Sequence, residues 1–236
     1  MRTLGFIGGM SWVSTAEYYR LINESVAERC GGLHSAEILL ASVDFAEIEA
    51  LKIAGNWDAI AARLTSAGRR LESVGAEAII LCTNTMHYVA PAIESAVSVP
   101  FLHIADTTAQ AVASSGRSRV GLLATAFTMQ ESFYIERFAS HGVEVITPSA
   151  DDRARVSEII YDELCHNIIR EESRIFYRDV VGRLVAQGAD GVILGCTEVE
   201  LLIGPGDVGV PVFPTTLLHV QAAVDFALTG SVPGPT

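Results

Sequence analysis

The sequence predicts an α/β protein of two pseudosymmetric lobes, each built on a parallel sheet, and three observations carry that expectation. Short runs rich in Ile, Leu and Val alternate with amphipathic stretches of helical length, the second half of the chain repeats the first, and matching polar motifs end matching strands. Such alternation is what strands buried on both faces and joined by crossover helices produce.

The strand runs are Thr3–Ile7, Glu37–Val43, Ala78–Leu81, Val120–Leu123, Val143–Ile146 and Gly191–Leu194. Between them, Thr15–Glu28 places Tyr18, Leu21, Ile22 and Val26 on one helical face, and Trp57–Val74 has the same periodicity. Gly230–Thr236 has two prolines and no periodicity, and reads as a frayed tail.

The repeat pairs Leu4–Met10 (LGFIGGM) with Val120–Ala126 (VGLLATA), and Ala78–Thr85 (AIILCTNT) with Gly191–Glu198 (GVILGCTE). Gly5 precedes Thr83 by 78 positions and Gly121 precedes Cys196 by 75, so sequence similarity and spacing recur together. The division falls near residue 103. One lobe is expected over residues 1–103, completed by about 212–228, and the other over 104–211. Leu81 then matches Leu194, Cys82 matches Gly195, Thr83 matches Cys196 and Asn84 matches Thr197. Open parallel sheets bind ligands outside the carboxyl ends of their strands, so the strand-end loops of both lobes are expected to face one cleft.

Composition removes several function classes. Half of the 236 residues are hydrophobic and 19% are charged, as in a folded globular chain. A net charge of -12 opposes a nucleic-acid partner, which needs a basic face. The apolar start Met1–Met10 has neither the basic region of a signal peptide nor the length of a membrane span, so a cytoplasmic protein without a membrane partner is expected. Cys30, Cys82, Cys165 and Cys196 form no CxxC pair and are expected to be reduced thiols. His87 and His103 lack metal-ligand spacing; they are expected to be structural, and no metal is expected.

Two reactive groups facing each other across a pseudo-twofold cleft can remove a proton from one face of a carbon and return one to the other. Cys196, in Gly195-Cys196-Thr197-Glu198 directly after a strand, is the stronger candidate, expected as a thiolate whose pKa the following helix amides lower. The plainer alternative is a small hydrophobe at the end of a buried strand. Cys82 points away from Thr83 and is expected to be inert. Thr83, Asn84 and Thr85 offer hydroxyl, amide and backbone donors suited to a carboxylate, or else simply cap a helix. Gly8, Gly9, Met10 and Ser11 form a strand-to-helix turn in which glycine lets the backbone approach a ligand. A dicarboxylate would need cations. Lys52, the only lysine, and Arg155 are the candidates, against the default of solvated surface charges.

LGFIGGMSWVSTAEYYRLINE, GGLHSAEILLASVDF, LCTNTMH, FLHIADTT, IIYDELC and LGCTEVELL together span nearly residues 1–228, and through them the chain resembles the aspartate/glutamate racemase family, especially the group of the broad-specificity bacterial amino-acid racemase. The resemblance implies two Rossmann-like lobes with the active site between them, no pyridoxal phosphate or other cofactor, a small amino-acid substrate and a homodimer. It implies catalysis by Thr83 and Cys196, with Met10, Lys52, Thr83, Asn84, Thr85, Arg155, Thr197 and Glu198 around the substrate. Relatives carry Cys-Asn-Thr where this chain has Thr83-Asn84-Thr85, and often Asp where it has Pro214. A hydroxyl is a far weaker acid than a thiol, so the two faces are expected to act unequally, Cys196 taking the α-proton of the L-enantiomer. Because the equilibrium constant is unity, that asymmetry must lie in compensating kcat and KM. The alternatives are a hydantoin racemase or maleate isomerase type of reaction, or amino-acid binding without turnover.

Overall fold

In a computed structural model, described over residues 1–232, the chain divides into two compact units: Met1–Ile104 with residues 219–232, and Ala105–Leu218. The first contains β1 (Leu4–Gly8), α1 (Trp12–Cys30), β2 (Ile38–Ser42), α2 (Phe45–Ile53), α3 (Trp57–Ser73), β3 (Ala78–Leu81), a 3-10 turn (Thr85–Val89), α4 (Ala90–Glu94) and β4 (Phe101–Leu102). Next come α5 (Ile104–Ser114), β5 (Arg119–Leu123), α6 (Ala126–Gln130), α7 (Ser132–Ala139), β6 (Glu144–Ile146) and α8 (Ala150–Asp162). A short 3-10 turn (Leu164–His166), α9 (Glu171–Ala186), β7 (Gly191–Leu194), α10 (Thr197–Leu202), β8 (Val212–Pro214) and α11 (Thr215–Thr229) complete the order.

Each unit holds a four-stranded parallel sheet, in the order β2-β1-β3-β4 in the first and β6-β5-β7-β8 in the second. The two orders are the same once β5 is set against β1, which is the structural form of the sequence repeat. The expected Ala78–Leu81 and Gly191–Leu194 are the observed β3 and β7, both buried at every residue, and the other four runs fall within a residue or so of strands. Two strands, β4 and β8, were not foreseen. Val212–Pro214 pairs with β7, so the second unit continues to Leu218, and the expected return to the first at about 212 moves to His219.

In the first unit the sheet has a core on each side. Leu4, Phe6 and Ile80 pack with Tyr18, Ile22 and Val26 of α1 and with Val220, Ala223 and Val224 of α11. Ile7, Ile79 and Leu81 meet Ile48 of α2, Ile60, Leu64 and Leu71 of α3, and Ile93 of α4. The i, i+4, i+8 spacing of Tyr18, Ile22 and Val26 makes one face of α1 apolar, and each such side chain fully buried contributes about 1.5–3 kcal/mol. Ser11 caps that helix by accepting from the amide of Ser14.

The second unit is held partly by polar contacts. Asp106 at the start of α5 receives both arms of Arg137 at 2.6 Å and His141 Nε2 at 3.0 Å. Burial pushes the Asp106 carboxyl up, but these donors outweigh it and hold it below the usual carboxylate range. Of the expected tail, Gly230–Val232 has no regular secondary structure and residues 233–236 lie outside the described residues. Among the described residues no helix is long and apolar enough to cross a membrane, and no group of His, Cys, Asp and Glu could hold a metal ion.

Candidate active site

Thr83 lies two residues beyond β3 and Cys196 two residues beyond β7. The strand-end turns are built alike: the amide of Cys82 donates to Ile7 of β1 at 2.9 Å, and that of Gly195 donates to Leu123 of β5 at 2.7 Å. The alignment of Thr83 with Cys196 therefore holds within each unit at the level of single hydrogen bonds. Cys82 is fully buried in the core shared with α1 and α11, and burial pushes its thiol far above the ordinary range.

Cys196 stands at the start of α10 in extended conformation, 9% exposed. Its side chain does not cap the helix. The thiol instead donates to Glu198 Oε2 at 2.9 Å, and the Thr197 hydroxyl donates to the same oxygen at 2.7 Å. The expected lowering of the thiol pKa is overturned. Burial first, and then the Glu198 carboxylate, push it well above its ordinary value, because both disfavour a second negative charge there. Six residues of helix with an acidic first turn do not reverse that. In this arrangement Cys196 is a neutral thiol hydrogen-bonded to Glu198.

Arg155 is exposed on α8, donating to Glu158 at 3.1 Å and lying 4.0 Å from Glu163. Glu163 is buried, accepting from the Ser173 hydroxyl at 2.5 Å. The phenol of Tyr177 is buried as well, which raises its pKa, and it donates to the Val156 carbonyl at 3.0 Å. Glu163 and Tyr177 were not singled out by the sequence. The signal was available in IIYDELC, where a carboxylate follows an apolar helical face within reach of Arg155.

In the first unit, Asn84 is buried in helical conformation and its side chain does not cap the following 3-10 turn. Thr83 and Thr85 are half-buried beside it. Met10 is buried in the core with Val43, Ile48 and Met86. Lys52 is not a free surface charge: its ammonium meets Glu49 Oε1 at 2.7 Å and its side chain is 15% exposed. The role expected of Gly9 also changes. A Cβ there would lie 2.2 Å from the Val43 carbonyl oxygen, so the glycine admits the neighbouring β2–α2 connection rather than open space for a ligand.

His87, expected from its spacing to be structural, has a specific environment. Its ring is buried, with Nδ1 2.7 Å from the Thr83 carbonyl oxygen and Nε2 accepting from the Ile104 amide at 3.3 Å. His219 is fully buried between Tyr18, whose hydroxyl lies 2.9 Å from Nδ1, and the Leu102 carbonyl, 2.7 Å from Nε2. Burial lowers its pKa to about 4.

Comparison with known proteins follows the same lines. The family model for Asp/Glu/Hydantoin racemase matches residues 7–223. The crystal structure of a putative Asp/Glu racemase from Yersinia pestis shares 53% identity, covering 97% of this chain and all of that one, with a TM-score of 0.93. An aspartate racemase homologue from Pyrococcus horikoshii OT3 shares 31% identity over 97% of this chain and all of that one, with a TM-score of 0.87. The broad specificity amino-acid racemase RacX of Bacillus subtilis (strain 168) is 25% identical over 155 residues, 66% of each chain. With its two like-ordered parallel sheets and a match over nearly its whole length, the chain belongs to the Asp/Glu/Hydantoin racemase family.

Proposed function

We propose that the protein racemises aspartate or glutamate, with tolerance for other amino acids, without pyridoxal phosphate, by moving protons on opposite faces of the α-carbon through Cys196 and Thr83. The observation that carries this reading is the Cys196–Glu198 contact. A buried thiol 2.9 Å from a carboxylate has a defined destination for its proton. Transfer from Sγ to Glu198 Oε2 leaves a thiolate, which takes the α-proton of the L-enantiomer and becomes a thiol again; in the other direction the thiol donates to the carbanion. Thr83, through its hydroxyl or a water it orients, gives a proton to the opposite face of the carbanion; Glu198 then releases its proton to solvent and the Thr83 side regains one from solvent, which restores both groups. Lys52 and Arg155 balance the substrate carboxylates, exchanging their present partners Glu49 and Glu158 for the ligand. Met10, Asn84, Thr85 and Thr197 are the remaining substrate-binding residues of this reading. The only lysine in the chain is already engaged by a carboxylate, which fits a route without a Schiff base.

Incubation with L- and D-aspartate and glutamate in D2O, with no cofactor added, tests this. α-Deuterium incorporation accompanied by inversion is expected. A second reading, amino-acid binding without turnover, draws on the neutral Cys196 thiol and on the hydroxyl at position 83. It requires binding with no exchange of the α-proton.

A further inference from the structure

We propose that His87 is a positioning residue for Thr83, aligning the Thr83 hydroxyl through the backbone; this rests on the reading that Thr83 serves one face of the substrate. His87 follows Thr83 by four residues, so one short turn brings its ring back to the Thr83 carbonyl, 2.7 Å from Nδ1. A carbonyl only accepts, so Nδ1 carries a hydrogen. The Ile104 amide donates to Nε2 at 3.3 Å, so Nε2 presents a lone pair. The ring is a neutral Nδ1–H tautomer, and a hydrogen on Nε2 would face the Ile104 N–H.

The Thr83 amide is committed as well, donating to Leu81 at 2.8 Å. With both its backbone groups held, the direction in which Thr83 projects its side chain is set. The ring itself is lodged among His103, 4.6 Å away between centroids, Phe101 at 5.6 Å and His219 at 6.0 Å. His219 carries the opposite tautomer: its Nε2–H donates to Leu102 and its Nδ1 accepts from Tyr18. Two neutral rings thus clasp the end of β4, one tied to α1 and the other to Thr83.

The second unit supplies a built-in control. Glu200 follows Cys196 by four residues, and its Oε1 accepts from the Thr216 amide at 2.9 Å, as His87 Nε2 accepts from Ile104. A carboxylate has no hydrogen to give back, and the Cys196 carbonyl takes the amides of Val199 and Glu200 instead. The shared slot ties the strand end to the next segment in both units. The extra donor occurs only where the catalytic group is a hydroxyl, which must be aimed more tightly than a polarisable thiol.

The test separates inversion from exchange. In D2O, His87→Leu is expected to slow inversion of either enantiomer by about 10–100-fold, the cost of a misaimed group. Cys196 still removes and returns the L-proton, so deuterium enters L-substrate with retention at a rate within about threefold of the parent. His87→Asn, which keeps a donor near the Thr83 carbonyl, recovers much of the inversion and carries the test should the leucine variant not fold. Equal losses of exchange and inversion, or no loss of either, overturn the proposal. Two-bond 1H–15N correlation of the histidine rings gives a readout independent of activity: Nδ1–H at His87 and Nε2–H at His219 are expected, and the reverse pattern at His87 overturns it. Absence of exchange in the parent protein overturns the racemase reading itself, and the proposal with it.

Discussion

At the scale of single residues, the chemistry turns on who holds the Cys196 proton. Burial and Glu198 keep the thiol neutral, and Glu198 is also the acceptor that can relieve it. Cys196→Ser, which replaces a thiol by a far weaker acid, is expected to lower turnover of both enantiomers by roughly 10^2–10^4-fold, read by chiral chromatography. Glu198→Gln keeps the size and removes the acceptor. Racemisation from the L-enantiomer should fall about 10^2-fold near neutral pH and recover as the pH rises and hydroxide takes over the acceptor role; a loss that persists at high pH would assign Glu198 to binding alone. The backbone positions of Thr83 and Cys196 were legible in the sequence because a strand end is a local feature that a repeat displays twice. The ionisation of Cys196 was not. It depends on burial and on the rotamer of Glu198, both properties of the packed unit. For the same reason the sequence shows His87 only as a structural residue without metal-ligand spacing, and not that its ring returns to the Thr83 carbonyl.

At the scale of elements, length decided what could be read. β1, β3 and β7 are apolar runs of four or five residues, bounded by turn residues, and stand out. β4 and β8 have two and three residues beside prolines, too short for a pattern. Their signal lay in the repeat: Val99-Pro100 and Val210-Pro211 are 111 positions apart and precede the two strands. The proline carbonyls accept equivalent bonds from Ile79 and Val192, at 2.8 and 2.9 Å, each starting the pairing of a short strand with its neighbour. The β1–α1 connection carries a prediction of its own. Gly9 has φ +95, and a Cβ would lie 2.2 Å from the Val43 oxygen and 2.7 Å from its nitrogen, both backbone atoms with little freedom to yield. Gly9→Ala is therefore expected to destabilise the first unit by about 2–4 kcal/mol, seen as a lower urea midpoint. An unchanged midpoint would mean that the β2–α2 connection is far softer than its packing implies.

At the scale of the whole molecule, acid should act on the two units in separate pH windows. In the first, burial depresses the pKa of His219 from 6.5 to about 4, so the folded state resists protonation that the unfolded chain accepts. Between those values the unfolded state binds more protons, and stability falls as the pH is lowered. The contribution is fully present above 6.5, declines from there down to about 4, and is on the order of 3 kcal/mol in all. In the second unit, Asp106 is held below its ordinary 3.8 despite burial, by Arg137 and His141. Its contribution is intact above 3.8 and is lost only as the pH falls further through the lowered folded value. Acidification from 6.5 to 4 should thus weaken the first unit before Asp106 of the second begins to titrate, and hydrogen exchange resolved by segment can follow the two independently. His219→Gln supplies the control, because an amide can give Leu102 a hydrogen and accept from Tyr18 without ever taking a proton. That variant should keep the stability of the first unit near pH 7 and lose most of its slope between 6.5 and 4, whereas a slope as steep as the parent's would show that other groups set the acid sensitivity.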